Sequence, residues 1–148
     1  MQSKWGGCPR ISRFAKVQRD WVAFYKDPDD DKLLNLLFPL CHLREWIWPA
    51  GHEVYEGEDP ATLTPAARLH HELHHNPAYR LVRALCNNAK HYNDEIGERT
   101  SVVKGFRVGV NRVGDSLDHT NYMIGHKPLR DAAEEVYGIY YRYFNSAE

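Results

Sequence analysis

The chain is poor in the features that would settle its class by themselves. It has only three cysteines in 148 residues, Cys8, Cys41 and Cys86, an odd number at wide and unpatterned spacings. That excludes the dense disulfide framework of a small secreted domain, and Cys41 and Cys86 each sit among apolar neighbours, which predicts small buried hydrophobes. No apolar run approaches the ~20 residues of a membrane-spanning helix, and the start, MQSKWGGCPR, has no apolar leader core. The expectation is a cytoplasmic protein away from the membrane. Charge of one sign is also missing: the formal net charge is −1, with 19 Lys and Arg against 20 Asp and Glu. A protein held to nucleic acid mainly by overall phosphate neutralisation shows a basic excess, so only a local basic patch remains open. Arg80, Arg83 and Lys90 form one such group in sequence, and Lys104, Arg107 and Arg112 another. There is no Gly-rich phosphate loop, no serine-nucleophile motif, no internal repeat and no interdomain linker.

What is present is core material and helix punctuation. Apolar residues make up 43% of the chain and aromatics 12%, enough to bury one core, so residues 1–148 read as a single helical domain. Ser12 is placed to cap a first helix to about Lys26, with Phe14, Val17, Trp21 and Phe24 at helical spacing. Asp27-Pro28 ends it, and Asp29 to Asp31 favour the positive end of a second. The second helix carries Leu33, Leu36, Leu37, Leu40, Leu43 and Ile47 and stops at Pro49, while Pro39 inside it predicts a kink or a split. Trp46 and Trp48 on it read as core or as a face between copies.

Residues Ala50 to Leu63 read as loop. Thr64-Pro65 and Asn76-Pro77 are two successive start signals, a capping residue followed by proline at the first helical position. They predict one helix to about His75 and another to about Asn93, joined at a tight corner. Phe106, Val108 and Val110 alternate with polar residues, and a turn near Gly114-Asp115 leads to Tyr122 and Ile124, which predicts a β-hairpin within about 101–125. Pro128 opens a last helix with Leu129, Ala132, Ala133, Val136, Tyr140 and Tyr143 on one face. The expected fold is mainly α: a four- to five-helix bundle with a small β-hairpin before the C-terminal helix.

Two constellations carry chemistry. On the helix from Pro77, at about 100° per residue, Val82, Leu85, Cys86 and Ala89 fall on one side and Arg80, Arg83, Asn87 and His91 on the other. A solvated helix face gives the same spacing. The residue types also suit metal-independent RNA cleavage, in which arginine holds a phosphate, an amide orients it, and imidazole moves a proton near neutral pH. The second is His71-Glu72-Leu73-His74-His75, which matches H-E-x-x-H. On a helix His71 and His75 would hold zinc, Glu72 would activate water, and Glu95 is the formal third ligand. His70, His71, His74 and His75 make the stretch His-rich, which raises the chance of an accidental match, and Pro77 ends the helix just beyond. His42 and His52 have no evident partner in the sequence.

The segment NPAYRLVRALCNNAKHY, with its Asn-x-x-Lys-His run from Asn87 to His91, follows the Trp-bearing CHLREWIW and precedes the hairpin. In this it resembles a group of small bacterial helical proteins similar to the HEPN superfamily, over most of the chain. That resemblance implies a helical homodimer that engages RNA, as a toxin or defence ribonuclease without a cofactor. Arg83 and His91 would be catalytic, with Arg80, Asn87, Asn88 and Lys90 binding. The family signature separates Arg from His by four to six residues, whereas seven lie between Arg83 and His91. They stand about 12 Å apart along a straight helix, so the resemblance implies pairing between two subunits. The alternatives are a non-catalytic inhibitor, immunity or adaptor module that binds a protein partner, and a zinc hydrolase.

Overall fold

The computed structural model describes residues 9–48, 58–90 and 100–146, with side chains from Arg13 and, on the helix ending at Lys90, as far as Asn87. Five α-helices are among them: α1 Pro9–Lys26, α2 Asp30–Ile47, α3 Pro65–His75, α4 Pro77–Lys90 and α5 Leu129–Asn145. A 3-10 turn, Pro60–Thr62, precedes α3. A small antiparallel sheet, β1 Thr100–Lys104, β2 Thr120–Ile124 and β3 Lys127–Pro128, comes before α5. None of these helices is long and apolar enough to cross a membrane.

The helix starts follow the capping chemistry. Asp29 accepts from the Lys32 N–H at 2.8 Å, with Asp30 and Asp31 in the first turn of α2. Thr64 accepts from Ala67 N–H at 3.3 Å, and Asn76 from Tyr79 N–H at 3.0 Å. The first helix begins at Pro9, a turn earlier than the Ser12 signal predicts. Pro39 does not split α2, which runs unbroken to Ile47. The proline ring is buried with its neighbours, so packing offsets the lost backbone bond.

Helix α2 is the hub. It packs on α1, α4, α5 and α3, and Leu36, Leu37, Leu40, Leu43 and Ile47 are buried along its length. Two buried phenols lock it to its neighbours: Tyr79 of α4 donates to the Cys41 carbonyl at 2.7 Å, and Tyr140 of α5 to the Leu40 carbonyl at 2.9 Å. An aromatic seam joins α1 to α5, with Phe14 stacked on Phe144 at 4.5 Å and Trp21 on Tyr137 at 4.8 Å between ring centroids. Trp46 is not core: it is exposed, with the Arg13 guanidinium 4.4 Å from its ring centroid. Trp48 is half-buried and meets His70 edge-on.

The hairpin exists, with Tyr122 and Ile124 on its second strand as expected, but its first strand is not the expected one. β1 pairs with β2 from Thr100↔Ile124 to Lys104↔Thr120, and Phe106, Val108 and Val110 fall in the connection at 105–119. Gly105 and Gly109 adopt φ of 93° and 83°, a region disfavoured for other residues, which takes the chain out of the ladder. Side-chain amides replace the ladder there: Asn111 and Asn121 exchange hydrogen bonds of 2.9 and 3.1 Å, and Arg107 N–H donates to Asn111 at 2.8 Å. Buried beneath is a bidentate pair in which Arg130 of α5 donates to Asp115 at 3.0 and 2.7 Å. Arg112 fastens the loop to two helices through Tyr25, Asp131 and Glu134. Burial and the neighbouring Glu134 carboxylate push the Tyr25 phenol up to about 12.

Candidate functional site

Helix α4 has two chemically distinct sides. Toward α2 and α5 it buries Val82, Leu85 and Cys86 of the expected core face, and Tyr79 with them, while the Ala89 side chain lies outside the described part. Outward it exposes Arg80, Arg83 and Asn87 along one continuous helix. Arg80 is anchored, since its Nε donates to the His74 carbonyl at the end of α3 at 3.1 Å. Of the remaining expected site residues, His91 of the ridge altogether and the side chains of Asn88 and Lys90 lie outside the described part.

The His-Glu-x-x-His helix, α3, is used differently. His70 is buried, with Nε2 donating to the Arg44 carbonyl at 2.8 Å. His75 Nδ1 donates to the His71 carbonyl at 2.8 Å, and the two rings pack with centroids 4.3 Å apart. Glu72 accepts from Arg142 of α5 at 3.0 Å. The carboxylate expected to activate a water is therefore engaged in tying α3 to α5. Glu95, the expected third ligand, lies outside the described residues.

Donor atoms do converge elsewhere, at residues the sequence reading passed over. Among the described residues one group of three or more potential metal donors comes together, Cys41 and His42 of α2 with Cys86 of α4, all ligand atoms within 4.8 Å of one another. His42 Nε2 lies 3.7 Å from Cys86 Sγ, and His42 Nδ1 lies 3.1 Å from Glu45 Oε2. An ionised carboxylate only accepts, so Nδ1 carries the proton, which leaves Nε2 as the ring nitrogen turned toward the thiols. Burial, with the Cys86 thiol alongside, pushes the Cys41 thiol up to about 12. The only local signal for this cluster is the three-residue spacing of His42 and Glu45, one helical turn; Cys86 is 44 residues away.

Comparison with protein-family models, with curated proteins and with solved structures finds no match to this chain.

Proposed function

We propose that the chain engages RNA through the outer ridge of α4, in the manner of HEPN-like helical proteins. The observation that supports this reading is the division of α4: one apolar side is buried, and Arg80, Arg83 and Asn87 stand exposed together on the other. Guanidinium groups bind phosphate oxygens through charge-assisted, often bidentate bonds, and Asn87 adds an amide one helical turn on. In this reading His91, the residue after α4's described end, moves the proton between the ribose 2′-hydroxyl and the leaving 5′-oxygen. Asn88 and Lys90 assist, and a symmetric second copy supplies the arginine that one chain sets too far away.

The test is binding of fluorescent single-stranded RNA across a salt series. Each phosphate contact adds about 0.7 to the salt slope, so Arg80→Ala/Arg83→Ala lowers it by about 1.4. His91→Ala leaves binding intact and removes cleavage. An unchanged affinity and slope in the double arginine variant refutes the reading.

One observation supports a second reading, a protein-binding module. The loop at 105–119 is braced by Asn111, Asp115 and Arg130, yet it presents Val108, Val113 and Leu117 almost fully to solvent. Large apolar side chains held out on a rigid loop suit a protein partner. RNA affinity unaffected by Val108→Ser/Val113→Ser/Leu117→Ser separates the two surfaces.

A further inference from the structure

We propose that Cys41, His42 and Cys86 form a binding site for a thiophilic cation, Zn2+, that clips α2 to α4. The site is independent of the RNA reading: its two thiols are buried, whereas Arg80 and Arg83 are exposed.

Three features carry it. The donor set is two thiols and one imidazole, the combination favoured by zinc over hard cations. The geometry is close to that of a loaded site. Zn–S and Zn–N bonds of about 2.3 and 2.05 Å at the tetrahedral angle place sulfur and nitrogen about 3.6 Å apart, and His42 Nε2 is 3.7 Å from Cys86 Sγ. Cys41 Sγ is within 4.8 Å of both, so a small side-chain adjustment completes a trigonal face. The third feature is independent of the donors. The Glu45 carboxylate lies 3.1 Å from His42 Nδ1, on the far side of the ring, in the carboxylate–histidine–metal arrangement that fixes tautomer and ring orientation at zinc centres.

The order Cys86, His42, Glu45 is also that of a thiol nucleophile with its base and orienting carboxylate, but Cys86 has no solvent exposure and offers a substrate no approach. A cation has no such requirement, because it can be captured as the two helices close. Binding converts both thiols to thiolates and releases two protons to solvent; nothing is oxidised or reduced. Three protein ligands leave the fourth tetrahedral corner to water.

The test refolds the reduced, metal-stripped chain in a Co2+ concentration series under anaerobic conditions. The expected result is one Co2+ per chain with a near-ultraviolet thiolate-to-cobalt charge-transfer band that one equivalent of Zn2+ displaces. Cys86→Ser and His42→Ala abolish the band, whereas Cys8→Ser and His71→Ala/His75→Ala retain it. Glu45→Gln, at a part-exposed position, weakens affinity ~10–100-fold. Absence of the band in the parent chain, or its survival in Cys86→Ser, overturns the site. Should Cys86→Ser fail to fold, parental affinity in both His42→Ala and Glu45→Gln overturns it equally.

Discussion

Replacing Asp115 by alanine should be among the most damaging single changes outside the apolar core. Arg130 and Asp115 have side chains only 6% and 11% exposed, and the carboxylate accepts two bonds from the guanidinium, one from Arg112 N–H and one from the Asn111 amide. Truncation leaves a buried cation with one carbonyl acceptor, Val110, at 3.1 Å and an Nε that has no partner even in the parent. Breaking a buried pair from one side costs about 3–5 kcal/mol, or roughly 6–20 °C in midpoint for a chain of this size.

The Arg130 guanidinium holds the Asp115 carboxyl well below the ordinary carboxylate range. The folded value lies below the unfolded one, about 3.9. The stabilisation is therefore complete above that value and is lost as pH falls through the folded one. Urea unfolding of the parent and Asp115→Ala from neutral pH downward reads both effects: a large gap at pH 7 that narrows in acid. Removing the cation as well, in Asp115→Ala/Arg130→Met, should recover part of the loss. A gap at pH 7 under about 1 kcal/mol, within the range of an exposed pair, would refute the assignment of this pair as the loop's anchor.

Two further outcomes follow from local geometry. Gly138 lies inside α5, where an added Cβ meets only Arg142 Nη1 at 3.6 Å, an ordinary contact; Gly138→Ala should stabilise by about 0.5–1 kcal/mol, measured as a raised urea midpoint. Thr64→Ala removes the bond to Ala67 N–H at the start of α3 and should cost about 1 kcal/mol, whereas Thr64→Ser should restore most of it.

The helices were legible because their signals are local. Thr64-Pro65 and Asn76-Pro77 place the starts of α3 and α4, and the threonine and asparagine side chains make the expected capping bonds. Pro39 does not split α2, because its effect depends on the four helices packed around it, which neighbouring letters do not encode. The alternation from Phe106 to Val110 misled for a related reason. Period two identifies a strand only if a partner strand is in register, and here Gly105, Gly109 and the Asn111–Asn121 amide pair divert the backbone first. The division of α4 into buried and exposed sides was readable from helical periodicity. The thiol–imidazole cluster was not, because it joins two helices whose contact is a property of the bundle.

Asn76 forms the corner between α3 and α4. Its backbone is extended, φ −89° and ψ 122°, and this one residue is the whole linker between α3 and α4. Its oxygen accepts from Tyr79 N–H while its nitrogen donates to Glu135 on α5 at 2.9 Å. A connection this short has almost no slack, so α4 cannot swivel without dragging the end of α3 and releasing its grip on α5. The heading of the arginine ridge is thus set at the first turn of α4, by one amide that caps that helix and holds α5 at once.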